Sequence, residues 1–197
     1  QDAAQLSLAA KSGDASAQYS LANYYAMGKG VPQDFHGALF WYRKAAEQNQ
    51  VQAQYRLAAM LRSGTNVPKN LAQSLYWYQR AATQGDIKSQ NDLGAMYYYG
   101  VGVSKNYPSA IKWYRRAAEQ GDINAQSSLS LMYFAGFGVS SDYAQAYLWA
   151  NMAAARGDVK AQKFRKLLKS KMTAEQTAQA AQLADQYLKQ YAAIFKM

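Results

Sequence analysis

Slid along itself by 36 residues, the sequence matches without a gap through four consecutive blocks that begin at Ala17, Ala53, Ser89 and Ala125. The second residue of each block is Gln18, Gln54, Gln90 or Gln126, and Ala161 and Gln162 open a fifth. Leu21, Leu57, Leu93 and Leu129 share one phase, as do Gly28, Gly64, Gly100 and Gly136, and Val31, Val67, Val103 and Val139. Trp41, Trp77, Trp113 and Trp149 are all the tryptophans of the chain, and each precedes a pair of alanines such as Ala45 and Ala46 or Ala117 and Ala118. A period of this length marks an array of small supersecondary units, each of which buries its apolar face only by stacking on its neighbours.

Each block reads as two antiparallel helices. In the first, Leu21, Tyr24, Tyr25 and Gly28, or Leu93, Met96, Tyr97 and Gly100, recur at helical spacing. A glycine such as Gly28 suits the left-handed conformation that ends a helix, where a Cβ is penalised. A short loop comes next, and Asp34, Asn70, Asn106 and Asp142 stand just ahead of the second helix, where a short side chain can accept from free backbone N–H groups. Pro108 falls in the first turn, where its missing donor does no harm. The second helix carries Ala38, Trp41, Tyr42, Ala45 and Ala46, large residues beside small ones, so that neighbouring helices approach closely. It ends at Gly85, Gly121 or Gly157, and Asp86, Asp122 or Asp158 caps the first helix of the next block.

This phase sets the domain organisation of one solenoid over residues 1–197: a half repeat at 1–16, full repeats at 17–52, 53–88, 89–124 and 125–160, and capping helices at 161–197. The cap comprises a short helix around Phe164 to Leu168 and a longer one opened by a capping box at Thr173 to Gln176. The longer helix presents Ala181, Ala184, Tyr187, Leu188, Tyr191 and Phe195 on one face. The expected fold is all-α, with about eleven helices and no sheet. Trp77 and Trp113, in central repeats, are expected to be largely buried and to matter more than Trp149 near the end.

The phased residues resemble the Sel-one-like repeat (SLR) family, relatives of the tetratricopeptide (TPR) repeats. Block three matches the family pattern almost throughout, at Leu93, Gly94, Tyr97, Gly100, Gly102, Val103, Ala110, Trp113, Tyr114, Ala117, Ala118, Gln120 and Gly121. Block two departs from it at Leu61 and Asn66, and block four at Ala150. The resemblance covers about residues 17–160. It implies an α/α right-handed superhelix of TPR-like helix–turn–helix repeats that serves as a protein-binding scaffold or adaptor. In bacteria such proteins are often exported, with envelope, host-contact or toxin-neutralising roles.

Composition narrows the chemistry. The chain has no Cys, which removes disulfides, thiolate metal sites and a cysteine nucleophile together. It has no run of eighteen apolar residues, so no span is expected. Three Pro and 13 Gly among 197 residues argue against a β-rich or disordered chain. The net charge of +10 favours acidic proteins, anionic glycans, membrane surfaces or nucleic acid as partners. Gln1 reads as the start of a processed form, and the expected location is the periplasm or the exterior.

No catalytic set emerges, and the expectation is a non-enzyme that uses no cofactor and no metal. Eight acids recur in phase (Asp14, Asp34, Asp86, Asp122, Asp142, Asp158, Glu47 and Glu119), which assigns them to the fold as helix caps. Asp2, Asp92, Glu175 and Asp185 are scattered, so no carboxylate pair faces one cleft. His36 is the only histidine and reads as a surface or capping residue. The Gly-x-Gly turns at Gly28 and Gly30, Gly100 and Gly102, and Gly136 and Gly138 lack the third glycine and preceding strand of a dinucleotide site.

Positions that change from block to block are free to build a binding site. On the first helices, which the resemblance implies line the concave side, these give Tyr19 and Asn23, Tyr55 and Arg62, Lys88, Asn91, Tyr98 and Tyr99, and Ser127 and Phe134. Tyr and Arg serve well as anchors because they combine apolar area with a polar tip. Tyr98 and Phe134 have a structural alternative, packing on the next repeat. A pair of substitutions at Tyr55 and Tyr98 is expected to remove binding and leave stability nearly unchanged. A second feature is the cationic stretch Lys160, Lys163, Arg165, Lys166, Lys169 and Lys171, either a solvated face of the capping unit or a contact for an anionic partner. The leading function is thus a protein or peptide binder. A glycan or peptidoglycan-fragment binder is the alternative, since tyrosines can stack on sugar faces. Nucleic acid is disfavoured because the cations gather at one end rather than along the wall.

Overall fold

A computed structural model describes residues 3–191, without the side chain of Leu188. Among the described residues it contains eleven α-helices and no strand. They are α1 (Ala3–Lys11), α2 (Ala15–Met27), α3 (Phe35–Glu47), α4 (Val51–Ser63), α5 (Leu71–Thr83) and α6 (Ile87–Tyr99), then α7 (Tyr107–Glu119), α8 (Ile123–Ala135), α9 (Tyr143–Ala155), α10 (Val159–Lys171) and α11 (Ala174–Gln190). The all-α repeat fold expected from the sequence is the one observed. Two compact units divide the chain, one of residues 1–90 with 101–103 and one of residues 91–100 with 104–197.

The helix ends are set by the residues that recur in phase. Asp34, Asn70, Asn106 and Asp142 each accept from a backbone N–H in the first turn of the helix they precede, and so do Asp14, Asp122 and Asp158. Gln50 fills the same role ahead of α4, taking the N–H of Ala53 at 3.0 Å with a longer side chain than a cap usually has. At the other ends Gly28, Gly64 and Gly136 adopt φ of 67°, 67° and 72° and donate to carbonyls of the last turn. Asn49 and Asn66 take φ of 64° and 63° at positions where other repeats carry glycine. Asparagine tolerates this left-handed conformation better than most residues, so the departure at Asn66 leaves the turn intact.

The recurring glutamine, unexplained by periodicity alone, is a buried crosslink. Gln18, Gln54, Gln90 and Gln126 each donate at 3.1 Å to the carbonyl of Ala10, Ala46, Ala82 or Ala118, a last-turn oxygen that also accepts from the backbone N–H of the turn residue three positions on. In the first unit Gln48 donates to Gln18 and Gln84 to Gln54, both at 2.8 Å. In the second unit the corresponding donor is replaced by Arg156, which turns to the carbonyl of Gly121, and Gln126 Oε1 is left buried without a partner.

In the first unit α1 packs on α2, α2 on α3, α3 on α4 and α4 on α5. The paired alanines Ala45, Ala46, Ala81 and Ala82 are fully buried at these contacts, with Leu21, Leu57 and Tyr78 between them. In the second unit α9 is the centre, meeting α8, α10 and α11. Trp149 of α9 is consequently 0% exposed, capped by the Tyr187 ring of α11 at 5.0 Å, while Trp113 is only half-buried. The expected order of the tryptophans is therefore corrected. Trp77 is buried as expected, but closeness to the chain end does not expose Trp149, because α11 covers it.

Two further expectations at this end are corrected. The helix around Phe164 is a full one, α10 (Val159–Lys171), because Asp158 caps it at the repeat phase. The buried row of α11 begins at Ala180, with Ala181 exposed; Ala184, Tyr187 and Tyr191 are half-buried. Phe195 lies outside the described residues.

Candidate functional site

The first-helix positions of the first unit form an open wall. Tyr19 of α2 and Tyr55 of α4 are half-buried, and each packs its ring 5.9 Å from a second-helix tyrosine, Tyr42 and Tyr78 respectively. Tyr19, Gln52, Tyr55, Arg56, Asp86 and Lys88 line a hollow of about 400 Å³. The Lys88 ammonium stands 5.9 Å from the Tyr55 ring centre, and the Arg62 guanidinium lies 5.4 Å from that of Tyr78. Asn23 does not point outward as an anchor. Its Oδ1 accepts from the Tyr42 hydroxyl at 2.6 Å, and burial pushes that phenol up to about 12. A second hollow of about 320 Å³ is lined by Phe35, Tyr42, Arg56, Ala59, Met60 and Ser63, so Arg56 borders both.

Equivalent positions of the second unit are engaged differently. Tyr98 packs against Tyr99, Tyr107 and Phe137 at 4.8, 5.5 and 5.9 Å, and Tyr107 stacks on Phe137 at 5.1 Å. Phe134 meets Tyr143 at 5.5 Å and Phe164 at 5.4 Å. Packing, the structural alternative for Tyr98 and Phe134, is thus seen in both, while Tyr99 remains 68% exposed. Ser127 donates to Asp158 Oδ2 at 3.1 Å. Asp158 is held below the usual carboxylate range, chiefly by the N–H of Ala161 and also by Ser127 and Lys160. Ser127, Leu131, Ala150, Asp158, Lys160 and Phe164 line a hollow of about 390 Å³. Ala150 stands where the other repeats carry Tyr42, Tyr78 and Tyr114, so the missing ring leaves this space. Asn91 is half-buried.

The Sel1 repeat model matches at residues 15–50, 51–86, 87–122 and 123–158. This chain belongs to the Sel1 repeat family. A Sel1 repeat protein from Oxalobacter formigenes is similar at 34% identity over 92% of this chain and 74% of that one, with a TM-score of 0.78. A protective antigen of uropathogenic Escherichia coli with an SLR fold shows 32% identity and a TM-score of 0.55; the match covers 97% of this chain but only 49% of that one. Immunity protein PA5088 of Pseudomonas aeruginosa shows 25% identity over 97% of this chain and 73% of its own, with a TM-score of 0.52. No protein with a curated function is similar enough in sequence to match.

Six acids of these Sel1 repeats accept from backbone N–H groups at helix starts, namely Asp14, Asp34, Asp86, Asp122, Asp142 and Asp158. Glu47 and Glu119 do not cap, contrary to the reading of all eight phased acids as caps. They are the last residues of α3 and α7, where the free groups are carbonyls and a carboxylate has nothing to accept. Exposed His36 donates its backbone N–H to Asp34. Among the described residues no group of three or more His, Cys, Asp or Glu could hold a metal ion, and no helix is long and apolar enough to cross a membrane.

The cationic stretch lies along α10. Lys160, Lys163, Lys166, Lys169 and Lys171 are exposed beside Val159 and Leu167, which are 60% and 46% exposed. Arg165 is drawn inward to Asn151 Oδ1 at 2.9 Å, so it belongs to the packing of α10 on α9.

Arg56 is the residue that sequence reasoning missed. Its signal was present, because the fourth position of each block reads Ser20, Arg56, Asp92 and Ser128, which varies as a site position should.

Proposed function

We propose that this Sel1 repeat protein is a non-enzymatic interaction module that holds a partner protein on the first-helix wall of its first unit. The observation that carries this reading is the open hollow between Tyr19, Tyr55, Arg56 and Lys88, where aromatic rings and cations stand together at positions the fold does not fix. Anchors of this kind dominate protein interfaces because a ring buries large area while a guanidinium supplies directed donors. Six of the acids are taken up as helix caps, which supports the non-enzymatic reading. The similarity to an immunity protein of a bacterium is in keeping with a toxin-neutralising role, and we propose an exported location with it.

The test is affinity capture with the full chain and with Tyr19→Ala/Tyr55→Ala. The double variant is expected to lose the captured protein while its helical circular dichroism is retained. Retained capture would refute the wall as the site. Binding of a peptidoglycan fragment in the same hollow, with no protein captured, would favour the glycan reading.

A further inference from the structure

The charges around the two hollows of the first unit are mainly positive: Arg56 and Lys88 stand with one acid, Asp86, whose carboxylate is taken up capping α6. Along α2 and α4 and the first turn of α6 the charged side chains are Arg56, Arg62 and Lys88, with no acid among them. Within residues 3–90 the carboxylates are Asp14, Asp34, Glu47 and Asp86, and all but Glu47 are engaged at helix N-termini, where backbone N–H groups already compensate them. Glu47 lies beside Arg43, Gln73, Tyr76 and Trp77 in a separate hollow. Among the described residues, no carboxylate forms an ion pair with Arg56 or Lys88. Arg56 and Lys88 thus border a hollow with two tyrosine rings and an excess of positive charge over the single capping acid Asp86.

We infer that the partner enters this wall as an extended acidic segment, with a carboxylate on Arg56 and Lys88 and neighbouring side chains in the two hollows. This deepens the protein-binding reading above and rests on it. Arg56 stands where the hollows meet, so one carboxylate there leaves room on one side against Tyr19 and Tyr55. On the other side an apolar side chain would meet Phe35, Tyr42 and Met60. A guanidinium matches a carboxylate through two parallel N–H donors, and the ammonium of Lys88 adds a point charge across the Tyr55 ring. Arg56 and Lys88 are exposed, so the contact stays open to solvent and is screened by salt. Alternation along an extended chain places every second side chain on one side, so a segment that alternates acidic and apolar residues fits the wall.

Displayed random dodecapeptides selected on the immobilised full chain test this. Enriched sequences are expected to be acidic and to include apolar residues, and added salt should weaken them. Arg56→Gln/Lys88→Gln should weaken the selected peptides by about tenfold or more, since a charged contact at the centre of an interface sets the dissociation rate. Lys88→Arg should bind within about threefold of the native chain, because the charge is kept. Lys163→Gln/Lys166→Gln on α10 should leave binding unchanged. Enriched peptides without acids that lose binding in Tyr19→Ala/Tyr55→Ala would overturn the acidic segment and leave the protein-binding wall standing. Peptides indifferent to all four positions, or no enrichment at all, would overturn both. A heparin hexasaccharide or an oligonucleotide that displaces the peptides at lower concentration than the free peptide itself would reassign the cations to a polyanion.

Discussion

Position by position, the two units use the same frame for different ends. At one position the first unit has Tyr19 and Tyr55 facing an open hollow, while the second has Asn91 half-buried and Ser127 bound to the capping Asp158. At another, Arg62 lies over Tyr78 in the first unit, while Tyr98 and Phe134 of the second are absorbed into aromatic clusters with Tyr107, Phe137, Tyr143 and Phe164. Variation between repeats thus has two sources. One is visible in the packing, where a neighbouring turn carries its own ring; the other is the partner contact proposed for the first unit.

The largest effect should come from the tryptophans. Trp149→Ala removes a fully buried side chain from beneath α11 and should cost about 3–5 kcal/mol, whereas Trp113→Ala, half-buried, should cost at most about half of that. Chemical unfolding of both variants checks the order, and equal losses would show that α11 does not contribute the cover described.

The glutamine crosslinks sharpen the comparison. Gln54→Leu removes one donor to the Ala46 carbonyl, which keeps the N–H of Asn49, and also removes the acceptor of Gln84, at a cost of about 1–3 kcal/mol. Gln126→Leu likewise removes one donor to the Ala118 carbonyl, which keeps the N–H of Gly121, but it also removes a buried oxygen that has no partner. It should cost less by about 1 kcal/mol. Denaturant midpoints in the reverse order would contradict the role assigned to Arg156.

The tyrosine pair divides site from packing. Tyr98→Ala should cost about 1–2 kcal/mol through lost ring contacts, and Tyr55→Ala less than about 1 kcal/mol. The expectation that both could be removed together without loss of stability is therefore narrowed to Tyr55. Thermal melts of the two single variants read the difference, and a larger loss at Tyr55 would reverse the division.

The two units should also differ in their response to alkali. Burial raises Tyr42 in the first unit and Tyr114 and Tyr187 in the second to about 12. The unfolded phenol ionises near 10, so their stabilisation is complete below about pH 10 and falls as pH rises toward 12. Two of the three lie in the second unit, which should therefore lose more. Tyrosinate absorbance followed with helical dichroism, in the native chain and in Tyr42→Phe, reads this directly.

Much of the fold was legible because repetition reveals which residues it needs. The caps, the αL glycines and the helix count all follow from phase. The buried glutamines were visible as a pattern but not as a crosslink, since periodicity marks a position without naming its partner. The burial of Trp149 was hidden for the opposite reason. Its cover comes from Tyr187 in a helix outside the repeat. Of the candidate wall, the clustering was partly legible: Tyr19, Tyr55 and Lys88 line one hollow, and Arg56 could have joined them on the same rule of variation. What the rule could not supply was occupancy by Phe137 and Phe164, rings far along the chain that claim Tyr98 and Phe134.

Binding of a partner protein on the first-helix wall of the first unit is best tested inside the producing cell. A photo-crosslinking amino acid is placed at Tyr55 and, separately, at Tyr98. Position 55 should give a discrete protein adduct that disappears with Arg56→Gln, and position 98 at most a weak one. Adduct formation at 98 with none at 55 would contradict the assignment of the wall.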